Sequence, residues 1–405
     1  VLTAAATPPP FRLPSAVVPS VSLLRPSSVR PLCLALVAWA VAFLGPAARA
    51  DAPRTAACPA DAAPALGQAG GGTVALDASQ LDAGQDVWSV STRRLPAVCS
   101  PPAAAQVVVE RLVAGPAATS RATAGGSESR RWERSDQESL LSEQVRPLVI
   151  FVHGNRYDHA DARRQGVLLA ARMAKCCPES AAAQTVIFSW PSEQQGILLR
   201  DGRAKLDRAR ADAHYLAWLL GRIDPARPVA IVGYSFGAIV SLGALDDLAT
   251  GRGMPRDAAA PWTERTGRTH LVLVAPAVRC DCLAVHGPHR QAALCIDRLS
   301  LVINSEDEAL RFFPLLEHDV RVQALGEVGM PRRWLPAGVE FATTNAAPII
   351  GRQHSFLPYL GSNTLTRRIC EGAGEALDRS PHPAAASAEP AGHAGSQQSG
   401  ENRPG

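Results

Sequence analysis

Lysine is almost missing from this 405-residue chain. Of its 41 basic residues only Lys175 and Lys205 are lysines, which reads as genomic base composition and not as a functional choice of arginine. Charge of one sign is missing too, since 41 basic residues against 37 acidic ones leave a formal net charge of +4. The first fifty residues hold Arg12, Arg25, Arg30 and Arg49 and no acid, so beyond Ala50 37 basic residues face 37 acidic ones. A neutral chain has no general attraction for phosphate backbones, and nucleic acid drops out as an expected partner. The sequence has no internal repeat, which argues against a solenoid or array. Charged residues are only 19% and hydrophobic ones 46%, so a large core is expected and whole-chain disorder is excluded.

No apolar run reaches the ~20 residues needed to cross a bilayer. The longest, Leu32–Leu44, follows Arg30, ends at Gly45-Pro46 and leads to Ala48-Arg49-Ala50. Basic flank, short apolar run and small residues at alternate positions make a secretory signal, with cleavage expected after Ala50. An uncleaved membrane anchor is the competing expectation. The mature chain is therefore expected outside the cytoplasm, periplasmic or secreted, with no stable membrane span. The stretch 1–28 is Pro- and Ser-rich, and a non-Met codon at Val1 or a later start at Val29 accounts for the missing initiator Met.

Beyond the signal, which holds Cys33, eight cysteines remain: Cys58, Cys99, Cys176, Cys177, Cys280, Cys282, Cys295 and Cys370. An even number in an exported chain favours disulfides, with the connectivity open. Cys176 and Cys177 are adjacent and are not expected to bridge each other. Cys280-x-Cys282 with His286 and His289 is a possible metal cluster, but its first spacing is tighter than zinc sites use, and no metal is expected.

Residues 51–145 are rich in Ala, Gly, Pro and Ser and read as a low-complexity segment, with strands expected at Asp86–Thr92 and Gln106–Glu110 and a linker between Ala114 and Glu143. From about 146 to 376 the pattern changes. Leu148–Val152, Thr185–Ser189, Val229–Val232, Leu271–Val274 and Leu299–Ile303 are short apolar runs, the signature of parallel strands buried on both faces. Asp161–Lys175 and Ala204–Leu220 carry helical spacing between them. This alternation predicts an α/β domain with a mostly parallel sheet and helices on both faces. The tail from 377 onward reads as disordered.

One of these strands runs into Gly233-Tyr234-Ser235-Phe236-Gly237 and then an apolar helix. A serine at a sharp strand-to-helix turn, flanked by residues without Cβ atoms, exposes its Oγ to a base and a substrate. Ser235 is thus a candidate nucleophile. The strand Leu148–Val152 ends in His153-Gly154-Asn155-Arg156, a turn suited to give a backbone N–H to an oxyanion hole. The expected donors are the N–H groups of Phe236 and Asn155, with His153 structural.

These elements, together with Phe188-Ser-Trp-Pro-Ser192, Val87–Arg93 and a downstream Asp-x-Ala-Leu, resemble the α/β-hydrolase superfamily over residues 147–360. The similarity is greater to a bacterial branch known mainly as a domain of unknown function. The resemblance implies the α/β-hydrolase fold and a triad in the order Ser, acid, His. Asn304-Ser-Glu-Asp-Glu-Ala-Leu310 follows a strand and offers three carboxylates, of which the Asp-x-Ala-Leu match selects Asp307, with Glu306 and Glu308 as alternatives. The base should follow the last strand, Val339–Thr343, and His354 is the histidine in that place. His159 and His214 precede the serine, His270 begins a strand, His318 falls in a helical segment, His286 and His289 sit in the Cys-rich stretch, and His382 and His393 are in the tail.

The resemblance thus implies a serine hydrolase acting on a small or medium carboxylester or thioester through Ser235, Asp307 and His354, with no cofactor. Two alternatives share these residues: an acyltransferase, and an inactive envelope binding module on the same fold. Thr250–Thr269 and Ala277–Asp297 are the expected walls of the substrate pocket.

Overall fold

The computed structural model describes residues 81, 85–97, 107–114, 130–143, 146–177, 182–195, 198–252, 261–317 and 321–377. The signal segment, Cys58, Cys99, His318, His382 and His393 lie outside the described residues. Among the described residues nine strands form one sheet: β1 (Asp86–Ser91), β2 (Val108–Ala114), β3 (Arg130–Ser135), β4 (Leu148–Val152), β5 (Gln184–Ser189), β6 (Val229–Tyr234), β7 (Thr269–Val274), β8 (Arg298–Ile303) and β9 (Glu340–Asn345). Their order is β3-β2-β1-β5-β4-β6-β7-β8-β9. All neighbours are parallel except β1 with β2 and β2 with β3.

The long helices are α1 (His159–Cys176), α2 (Leu198–Leu220), α3 (Gly237–Thr250) and α4 (Asn363–Leu377). Register separates the two faces they cover. Phe151 pairs with Ile187 and Val232, Val232 with Val272 and Val272 with Ser300, a row on one side of the sheet. On that side α1 meets Ile187 at Gly166 and α4 meets Val272 and Ser300 at Gly372. The residues one step back, Ile150 and Val186, line a small cavity with Leu219 of α2 on the other side, where α2 and α3 pack together. Because the central strands are buried on both faces, β4 through β7 each contain an apolar run of three to five residues without alternation.

The stretch 114–143 corrects the expected linker. It contains β3, paired with β2 from Ala114↔Arg130 to Val109↔Ser135. Its sequence, Arg-Arg-Trp-Glu-Arg-Ser, hides the strand because an edge strand keeps charges in solvent. Only Trp132 supplies apolar surface, and the Arg163 guanidinium lies 4.6 Å from the centre of its ring. β1 to β3 therefore extend the same sheet that carries β4 to β9.

Among the described residues no two of Cys176, Cys177, Cys280, Cys282, Cys295 and Cys370 are joined in the expected disulfides. Cys282, Cys295 and Cys370 sit in the apolar core, where a cysteine packs as a small hydrophobe. Burial pushes the Cys295 thiol up to about 12.

Candidate active site

Parallel strands all end at one edge of the sheet, and that edge gathers the chemistry. Ser235 follows the last residue of β6 and has φ 53°, a left-handed conformation that an L-residue adopts at a cost of about 1–3 kcal/mol. The described residues contain two other non-glycine residues with positive φ, Arg156 (64°) in the turn after β4 and Ala275 (44°) directly after β7, at the same edge. The surrounding structure imposes the turn. The Ser235 N–H donates to the Val274 carbonyl at 3.0 Å, and the Ser235 carbonyl accepts from Ala238 at 3.0 Å and Ala277 at 3.1 Å. A Cβ on Gly237 would lie 2.1 Å from the Val152 carbonyl oxygen, so only glycine lets α3 start so close to β4.

The side chains singled out by sequence meet here. Ser235 Oγ lies 2.8 Å from His354 Nε2, and His354 Nδ1 lies 2.6 Å from Asp307 Oδ2. All three residues are buried. Asp307 also caps the short helix Glu308–Arg311, its Oδ1 accepting from the Leu310 N–H at 3.1 Å. One carboxylate oxygen is therefore fixed by the backbone and the other is left for the imidazole. Glu306 points to solvent and Glu308 pairs with Arg352, so neither alternative acid reaches His354.

His354 sits in a loop between the short helices Ala347–Ile350 and Phe356–Gly361. Phe356 anchors it, stacking on Phe151 with ring centres 5.2 Å apart. Burying that ring contributes about 2–3 kcal/mol. The Tyr234 hydroxyl donates to the His354 carbonyl, and burial raises the Tyr234 pKa, which keeps the hydroxyl protonated as a donor. Sequence reasoning passed over Tyr234 because it occupies a free position of the Gly-x-Ser-x-Gly pattern.

His153 belongs to a different structure. Its Nε2 accepts from the Trp190 N–H at 3.2 Å, which requires the proton on Nδ1, where it is donated to the Gly154 carbonyl at 2.9 Å. Burial and the nearby Arg93 guanidinium hold its pKa well below the usual histidine range, so the ring is neutral. It is stacked between Tyr157 and Trp190 and shapes the His-Gly turn. At the tip of that turn the Asn155 side chain takes the Arg156 N–H at 3.0 Å. Among the described residues nothing accepts from the backbone N–H of Asn155 or of Phe236, leaving both donors of the expected oxyanion hole available.

Three other described histidines are placed elsewhere. His159 bonds Ser189 and Glu110, His214 pairs with Asp247, and His270 is buried on β7. Among the described residues no three His, Cys, Asp or Glu side chains are placed to share a metal ion, and Cys280, Cys282, His286 and His289 do not gather into such a set. Of the two expected pocket walls, Ala277–Asp297 reaches the site at its start, through the Ala277 N–H, then pairs with residues 323–325 at Val278–Cys280. Its end, Arg290–Cys295, packs on α3, where the Gln291 N–H donates to Asp246, and the Trp262 indole donates to the Cys295 carbonyl.

The family comparison agrees with this architecture. Residues 131–336 match the family model described as an alpha/beta hydrolase of unknown function (DUF900), a span that includes Ser235 and Asp307 and ends before His354. No curated protein matches the sequence. Among solved structures, a PEG-bound cold-adapted esterase from an Arctic intertidal metagenomic library is 14% identical, with a TM-score of 0.32, over 66% of this chain and 94% of that one. The inhibited esterase B from Lactobacillus rhamnosis is 12% identical, with a TM-score of 0.32, over 74% of this chain and 90% of that one. With a family match over half its length, the chain belongs to the alpha/beta hydrolases of unknown function.

Proposed function

We propose that the protein is a serine hydrolase that cleaves a small or medium carboxylester or thioester through an acyl-enzyme. The observation that carries this reading is the line Ser235 Oγ, His354, Asp307, with contacts of 2.8 and 2.6 Å, ending at a serine held in a left-handed turn. His354 Nε2 takes the Ser235 proton while Oγ attacks the carbonyl carbon. Asp307 keeps the other imidazole proton on Nδ1 and stabilises the cation that forms. The Phe236 and Asn155 N–H groups receive the negative charge that develops on the carbonyl oxygen. His354 then protonates the departing alcohol or thiol. Water, deprotonated by the same nitrogen, attacks the Ser235 ester, releases the acid and returns the proton to Ser235.

Export is part of the proposal and is supported by the signal pattern at residues 30–50. Among the described residues no helix is long and apolar enough to cross a membrane.

The test is hydrolysis of a p-nitrophenyl acyl ester series, from acetate to decanoate, by wild type and by Ser235→Ala. Turnover by wild type that disappears in the variant supports the reading. Equal turnover by both proteins contradicts it. Peptide sequencing of the protein recovered from its native cells tests export, which predicts a first residue of Asp51.

A further inference from the structure

The acid and the base of the site arrive on separate loops. Asp307 follows β8, and His354 lies 47 positions further along, beyond β9. A contact of 2.6 Å between them demands that the two loops be held in fixed register, and one fully buried side chain spans both. Asn304, the first residue after β8, donates both amide hydrogens to the His354 loop: to the Gly351 carbonyl at 2.8 Å and to the Gln353 carbonyl at 3.1 Å. Its Oδ1 accepts from the Glu306 N–H in the acid turn at 3.2 Å. Two carbonyls on one side and an N–H on the other dictate which end of the amide is nitrogen.

Backbone bonds complete the joint. The Asn304 N–H donates to the Gly326 carbonyl at 2.7 Å, and its carbonyl accepts from the Asp307 N–H at 3.2 Å. Asn304 is thus bonded to the residue just before His354, and through its carbonyl to Asp307 itself. From this we infer that Asn304 is a positioning residue for the triad, setting the His354–Asp307 hydrogen bond without touching substrate. The inference rests on the serine-hydrolase reading above for its kinetic consequence, but not for its structural one.

Asn304→Ala takes the side-chain partner from the Gly351 and Gln353 carbonyls and the Glu306 N–H and frees the His354 loop to shift. A displacement of about 1 Å at the imidazole lowers the rate on the order of 10²-fold, with KM within about twofold because no substrate contact is lost. Asn304→Asp keeps the size. As a neutral acid it donates to one carbonyl, and as a carboxylate it repels both. Its activity relative to wild type therefore falls as pH rises through its ionisation, a profile that a merely space-filling residue does not produce.

The direct readout is the far-downfield Nδ1 proton of His354 in the proton NMR spectrum of wild type, Ser235→Ala and both Asn304 variants, with thermal melts of each. The resonance is expected in the first two and lost or broadened in Asn304→Ala and in Asn304→Asp at neutral pH, in samples that still melt cooperatively. An Asn304→Ala protein that keeps the resonance and the wild-type kcat overturns the inference, as does a wild type that lacks the resonance. Should Asn304→Ala fail to fold, the pH dependence of Asn304→Asp decides. If wild type does not turn over any ester, the hydrolase reading fails, while the resonance still decides the role of Asn304.

Discussion

Replacing Asp307 by Asn tests the geometry of the relay more sharply than deleting it, because the amide has only one way to sit. The Leu310 N–H, 3.1 Å from Oδ1, needs an acceptor, so the amide oxygen takes that place. The amide nitrogen then occupies the position of Oδ2, 2.6 Å from His354 Nδ1, and presents hydrogens to it. The imidazole answers by offering a lone pair at Nδ1, which moves its proton to Nε2. That proton points at Ser235 Oγ, 2.8 Å away, and the ring can no longer take one from it. A triad locked in the wrong tautomer loses about 10⁴-fold in kcat, or about 5 kcal/mol of transition-state stabilisation. The helix cap survives, since Asn caps as well as Asp, and global stability stays within about 1 kcal/mol. Single-turnover hydrolysis of p-nitrophenyl acetate, beside a urea melt, measures both. A loss smaller than about tenfold in a folded variant would refute the assigned relay, since no tautomer shift could then be at work.

Three further outcomes follow from the same structure. Gly237→Ala forces a Cβ to 2.1 Å from the Val152 carbonyl oxygen, so a loss of at least about 2 kcal/mol is expected by denaturant melt, and a change under about 0.5 would contradict the packing of α3 on β4. His270 is buried beside Arg298 and Arg268, and burial first, then these charges, pushes its pKa down to about 3 from 6.5. The unfolded chain therefore binds the proton first, and stability present above about pH 6.5 is lost as pH falls toward about 3, by up to an amount on the order of 4 kcal/mol. His270→Gln should flatten that acid limb relative to wild type; identical limbs would contradict the shift. Cys282 and Cys295 should resist alkylation in the native protein and react once it is unfolded, and a disulfide joining any two of the six described cysteines in a peptide map would overturn the thiol assignment.

The parts of the molecule that can be read from sequence are those where burial is symmetrical. β4 through β7 are covered on both sides, so each is a short apolar run that no surface requirement interrupts. β3 is the opposite case. It pairs only with β2, faces solvent, and carries three arginines and a glutamate, so its pattern matches a linker. α2 begins at Leu198, six residues before its readable start. Its first turns carry a local polar contact, the buried Asp201 carboxylate accepting the Gln195 N–H at 2.8 Å, in place of apolar periodicity. Cysteine pairing is not legible in this way, because composition reports the number of cysteines and the expected compartment, while pairing depends on where each thiol lands in the fold.

At the site the same distinction holds. Ser235 could be singled out because its Gly-x-Ser-x-Gly turn follows a strand, and Asp307 and His354 because the family resemblance places the acid and the base after later strands, whose C-terminal ends a parallel sheet delivers to one edge. The elements that set their distances are not marked in this way. Tyr234 and Asn304 act through backbone carbonyls that lie close only after β6, β8 and the His354 loop have packed. A side chain's reach to a carbonyl 47 or 120 residues away leaves no local pattern in the chain. The His153 tautomer is likewise fixed by Trp190, which a strand of separate sequence brings beside it.

The most direct measurement is reaction of the protein, started at Asp51, with a fluorophosphonate probe, followed by mass-spectrometric mapping of the adduct. An activated serine predicts one phosphonylated peptide carrying the label on Ser235, absent in Ser235→Ala and formed far more slowly in His354→Ala. Folded protein that takes no label, or takes it at another residue, would contradict the claim that Ser235 is the nucleophile.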